Sequence, residues 1–153
     1  MTGHVHQLSR SPGGVPKHAV ERVAITAEGL EGDWQLNREH HGGPDRAVCL
    51  FPLELITQLQ RDGHPIVPGA VGENITTAGI DWSRMVPGAR LTLGDAVELE
   101  IVSYTAPCKT IKAAFADAQF MRISQKVHPG DSRVYARVLR GGMVQAGDPI
   151  VLA

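Results

Sequence analysis

Alternation of apolar and polar positions dominates this chain. RLTLGDAVELEIVSYT, residues 90–105, sets Val97, Leu99 and Ile101 against Glu98, Glu100 and Val102. A period of two predicts a strand with one buried face, and Gly94-Asp95 supplies the turn that precedes it. GHVHQLSR, HAVERVAIT and RVYARVL alternate in the same way, and RAVCLF is a continuous apolar run that predicts a buried strand. MVQAGDPIVLA predicts two short closing strands. Helical spacing is confined to two places. Leu53, Ile56 and Leu59 follow Pro52 at intervals of three, with Gly63 as the stop. Ile111, Ala114, Phe115 and Ala118 fit one face of a second helix, with Pro107 at its first position. Asp117 is placed to cap a third through AQFMRISQKV.

The 153 residues fit one domain, residues 1–153, long enough to bury a core without staples. The 17 glycines and 10 prolines predict many turns, and with so few helical periods they point to a mainly β fold. A net charge of −1 and 5 % aromatic residues argue against nucleic acid, since neither a basic excess nor a stacking platform exists. The apolar runs are too short to span a membrane, and MTGHVHQLSRSPGG lacks the apolar stretch of a signal peptide, so the expected location is cytoplasmic. Cys49 and Cys108 are too far apart in sequence to make a disulfide framework, and two cysteines cannot build a four-thiolate zinc site.

Four stretches carry candidate chemistry. In YTAPCKTI, a proline before Cys108 predicts that the thiol lies in the first turn of a helix, where free backbone N–H groups favour thiolate. The competing reading is a small buried hydrophobe at a strand–helix corner. Cys49, inside AVCLF, reads as core alone. HHGGPDRAV combines a flexible turn with Arg46 as an anion ligand, while His40 and His41, being adjacent, point opposite ways and chelate poorly. His4 and His6 share a face but lack an obvious third ligand. PGAVGENITTAG offers Glu73, Asn74, Thr76 and Thr77 to a polar heterocycle, or else is a polar hairpin. In RVYAR, Arg133, Tyr135 and Arg137 fall on one strand face, either a solvated face or a cationic wall for a phosphorylated ligand.

Taken in order, GLEGDW, HHGGPDRAV, PGAVGENITTAGID, PGARLTLGDAVELEI, APCKTI, SRVYARVLRGG and VQAGDPIVL resemble the MOSC domain, named for the C-terminal domain of molybdenum cofactor sulfurases. The resemblance runs from about Gly29 to the chain end. It implies a mainly β, barrel-like domain with a few short helices. It also implies that Cys108 is the protein ligand to molybdenum, or a sulfur-carrying thiol, and that Asn74 and Tyr135 match positions near the molybdenum cofactor (molybdopterin). On that footing Thr76 and Arg137 are expected to contact the pterin or its phosphate, and His41 and Arg46 to shape the pocket rim. The implied reaction removes oxygen from an N-hydroxylated small molecule, with electrons from a partner protein. Two alternatives stay open: a sulfur carrier with a persulfide on Cys108, loaded by a cysteine desulfurase, and a non-catalytic binding module.

Overall fold

The computed structural model describes residues 2–34 and 43–153. Its strands are β1 (Thr2–Arg10), β2 (His18–Val20), β3 (Arg22–Thr26), β4 (Gly29–Leu30), β5 (Val48–Pro52), β6 (Ile75–Ala78), β7 (Arg90–Leu93), β8 (Val97–Tyr104), β9 (Val134–Arg140), β10 (Gly142–Gln145) and β11 (Pro149–Leu152). Seven of them close a barrel in the order β11-β7-β8-β9-β5-β6-β1, with β1 pairing back onto β11. Closure removes the free sheet edges that would otherwise invite aggregation. β2 extends the sheet from the far end of β1, and β3, β4 and β10 form a second small sheet. HAVERVAIT is therefore two strands and not one: the chain leaves the barrel sheet at Glu21, between β2 and β3.

Alternation along β5 makes two cores. Val48 and Leu50 point into the barrel with Val5, Leu8, Ile75 and Leu99. Phe51 points outward, to a second cluster with Leu55, Ile56, Leu59, Ile111, Phe115 and Ile123. Among the described barrel pairings, β5–β6 is the parallel one. Parallel neighbours need a crossover connection, and the helix α1 (Leu53–Arg61) supplies it. Pro52 ends β5 and stands as the cap of α1, while Gly63, at φ +97°, turns the chain out of it. PGAVGENITTAG is no hairpin, because Ile75–Ala78 is a barrel strand buried at every position between β5 and β1.

The second predicted helix is replaced by three short 3-10 helices at Lys109–Ala114, Ala116–Ala118 and Phe120–Ile123. Cys108 is the extended cap residue (φ −138°, ψ 172°), so Pro107 lies outside the helix and not at its first position. Asp117 and Ala118 take the left-handed conformation at φ 54° and 55°, which breaks the α-helical run, and Ala118 is exposed. Asp117 caps nothing, since Phe120–Ile123 begins after Gln119. Residues 109–123 still fold as a lobe, held through Ile111, Ala114, Phe115 and Ile123 against α1. Among the described residues, no helix is long and apolar enough to cross a membrane.

Candidate functional site

β8 delivers the Cys108 loop to one end of the barrel, beside the start of β9. Cys108 is half-buried, and its Sγ lies 2.8 Å from the Thr110 hydroxyl. Arg133, just before β9, is 6 % exposed. Its guanidinium donates to the Val71 carbonyl at 2.6 Å and to the Ala106 carbonyl at 3.5 Å, the latter in the loop that carries Cys108. Arg133 Nε has no hydrogen-bond partner among the described residues. The hydrogen-bond partners of Arg133 are neutral carbonyls, and the buried carboxyl of Glu73 lies within reach of its charge.

Tyr135 follows on the same face of β9 and is buried, with Cys49 of β5 as its cross-strand partner. Its phenol is pushed up to about 12, first by burial and then by the Cys49 thiol, while Arg133 and Arg46 pull the other way and Cys108 adds a further upward push. These four groups thus lie within electrostatic reach of one ring. The Arg46 guanidinium sits 5.8 Å from the centroid of Tyr135, a cation–π arrangement. Arg46 belongs to a 3-10 helix, Pro44–Arg46, that lies along β9 with Asp45 3.3 Å from Arg137. Arg137 also faces Glu100 at 3.7 Å. Two carboxylates already oppose Arg137, so the cation best placed for an anion near Cys108 is Arg133, with Arg46 over the Tyr135 ring.

Cys49 is buried, as its place in a continuous apolar run predicts. Burial pushes its thiol up, against the pull of Arg133 and Lys17, and Thr105 is 3.8 Å from its Sγ. It lies beside Tyr135 in the sheet. Asn74 and Thr76, expected against the pterin, are 1 % and 0 % exposed. Asn74 Nδ2 donates to the Ser9 carbonyl and to Asp33 Oδ2, and its Oδ1 accepts from the Cys49 N–H. Thr76 donates to Glu73 Oε2 at 3.2 Å. Both side chains are thus buried and hydrogen-bonded within the protein. Glu73 is fully buried, and its carboxyl is raised chiefly by burial, against the N–H groups of Gly69 and Glu73, Thr76 and Arg133.

Pattern reading also missed Lys17 and Asp33, a buried ion pair at 2.8 Å that holds Asn74 from the other side. The signal available was the pair of glycine-rich loops that carry them, SPGGVPK and GLEGDW. His40 and His41 lie outside the described residues. His4 and His6 are both exposed on β1, and no group of three or more His, Cys, Asp or Glu that could hold a metal ion occurs among the described residues.

Known proteins share this architecture. YflK of Bacillus subtilis (strain 168) is 31 % identical over 131 residues, 84 % of this chain and 58 % of its own length. YiiM of Escherichia coli (strain K12) is 30 % identical over 146 residues, 92 % of this chain and 64 % of its own length. The chain thus spans roughly three fifths of those relatives. The crystal structure of YiiM from Geobacillus stearothermophilus superposes with a TM-score of 0.72 at 25 % identity, covering 99 % of this chain and 75 % of that one. The structure of Bacillus subtilis YUAD protein reaches a TM-score of 0.79 at 18 % identity, covering 99 % and 96 %, and speaks to the fold alone. The MOSC domain model matches residues 37–151, which span β5 to β11 and the Cys108 loop, and this chain belongs to the MOSC domain family.

Proposed function

We propose that the chain binds a molybdenum cofactor with Cys108 as its protein ligand and takes part in the reduction of N-hydroxylated small molecules. The observation that carries this reading is the accessible thiol of Cys108 beside a buried arginine that lacks an anionic partner at hydrogen-bonding distance. The donor set fits such a group. A soft thiolate suits molybdenum, and a metal delivered by an organic cofactor needs one protein ligand where a bare ion needs three or four. Arg133 and Arg46, both within electrostatic reach of Tyr135, favour the anionic end of a phosphorylated heterocycle.

When bound, the cofactor would supply a two-electron redox centre next to the thiol. The chain's own residues do the rest. Cys108 anchors, and Thr110 offers a hydroxyl to its sulfur at 2.8 Å. Tyr135, with a phenol raised to about 12, keeps its proton at neutral pH and stays a donor. Arg133 ties the Cys108 loop to Val71 through two carbonyls. In the overall reaction the N–O bond breaks, and R–NHOH with two electrons and two protons gives R–NH2 and water.

The test is molybdenum and pterin content in protein purified from a host that makes the cofactor. Wild type and Cys49→Ala load metal, and Cys108→Ala does not. Equal loading in Cys108→Ala and Cys49→Ala would sink the assignment. Metal in none of the three would turn attention to the sulfur-carrier alternative, which the same half-exposed thiol favours, and a 32 Da gain on Cys108 after exposure to a cysteine desulfurase would identify it.

A further inference from the structure

Reduction at Cys108 consumes two electrons, and none of the side chains described around it stores them, so a reductant has to approach from outside. The surface beside the thiol has a distinctive charge. Cys108 caps the 3-10 helix Lys109–Ala114, in which residues three apart eclipse. Ile111 and Ala114 form its buried edge. Lys109 and Lys112 therefore stack on a second edge, and both are exposed. The helix packs against Phe120–Ile123, whose Met121 is 45 % exposed, and the turn that follows adds exposed Lys126 and Val127.

Lys109, Lys112 and Lys126 have no ion-pair partner among the described residues. On the barrel strands β7 and β9, Arg90, Arg137 and Arg140 each face a carboxylate, whereas exposed Arg22 and Arg84, off the lobe, have no ion pair among the described residues. On the lobe Arg122 is matched by Asp131 at 2.6 Å, which leaves the three lysines against one exposed carboxylate, Asp117. An excess of lysines on a lobe that also exposes Met121 and Val127 complements an acidic protein surface. The lobe displays no exposed aromatic platform of the kind single-stranded nucleic acid needs.

We propose that the lobe at residues 109–128 is the docking face for an acidic electron-carrier protein. Its carboxylates meet Lys109, Lys112 and Lys126, and its redox group is brought to the Cys108 side of the barrel. This rests on the reductase reading above. The carrier is oxidised by two electrons in all, which with two protons convert R–NHOH to R–NH2 and water. Long-range attraction between the two charged faces raises the encounter rate at low salt and fades as salt screens it.

The experiment uses the full chain without cofactor, with two acidic carriers as probes, a flavodoxin and a plant-type ferredoxin. Binding is measured at low and at high salt for wild type, for Lys109→Glu/Lys112→Glu, and for Arg22→Glu/Arg84→Glu, which makes the same charge change on exposed positions away from the lobe. The expected result is salt-sensitive binding of at least one carrier, weakened about tenfold or more in the lobe variant and within about twofold of wild type in the control. Equal weakening in both variants overturns the proposal, because net charge alone would then explain the binding. So does failure of both carriers to bind wild type at low salt, or self-association of the chain that the lobe variant abolishes while no carrier binds. Metal loading is scored separately. A chain that loads no molybdenum counts against the cofactor reading, whereas a chain that loads metal but binds no carrier counts against the docking face.

Discussion

Asp33 and Asn74 are 41 residues apart in the chain, and Asn74 Nδ2 donates to Asp33 Oδ2 at 3.0 Å. The same carboxylate takes the Lys17 ammonium at 2.8 Å and the Ser11 N–H at 2.9 Å. Asn74 turns its carbonyl oxygen to the N–H of Cys49. One acidic side chain thus ties two glycine-rich loops to β5 and β6. Lys17 and Asp33 are 3 % and 6 % exposed, so solvent screens the pair little.

Asp33→Asn leaves the Lys17 ammonium buried opposite a neutral amide. The expected cost is about 3–5 kcal/mol, the range for stranding one member of a buried pair. Lys17→Met/Asp33→Asn removes both charges and is expected to recover more than half of that loss. Urea unfolding of the single and double variants measures the coupling. Single variants within about 1 kcal/mol of wild type would mean that the clasp does not hold these loops.

Ala118 is an exposed alanine at φ 55°, directly after Asp117 at φ 54°. Left-handed backbone costs an L-residue roughly 1–2 kcal/mol, and glycine avoids it while losing about 0.5–1 kcal/mol in chain entropy. Ala118→Gly is therefore expected to stabilise the protein by about 0.5–1 kcal/mol, although it touches no core residue. A denaturation midpoint lower than wild type would contradict the backbone geometry of this turn.

The barrel strands were legible because each buries one face, and burial on one face writes a period of two into the chain. Val97, Leu99 and Ile101 show this directly. The break at Glu21 was not legible, since β2 and β3 alternate alike and differ only in which sheet they join. The segment after Cys108 carried a helical period, but Asp117 and Ala118 adopt backbone angles that no apolar pattern records. Cys108 stood out because proline, cysteine and the long strand before them are neighbours in sequence. The clasp did not, because Lys17, Asp33 and Asn74 meet only through the closed barrel and its loops. Likewise the period placed Arg133, Tyr135 and Arg137 on one face, yet only the fold puts Arg133 under the Cys108 loop and Arg137 between Asp45 and Glu100.

Glu73 gives the protein's stability a pH dependence of definite sign. Burial holds its carboxyl above the ordinary value of 4.5, so the native protein binds that proton more tightly than the unfolded chain does. The stability that Glu73 contributes is therefore fully present below pH 4.5 and is lost as pH rises through the folded value. Glu73→Gln cannot titrate, and its amide oxygen still accepts from Thr76. The melting temperature of the variant minus that of wild type should grow as pH is raised above 4.5. Within the window the slope approaches about 1.4 kcal/mol per pH unit, and titrations not coupled to Glu73 cancel in the difference. A difference that stays flat above pH 4.5 would mean that Arg133 outweighs burial and holds Glu73 ionised in the folded state.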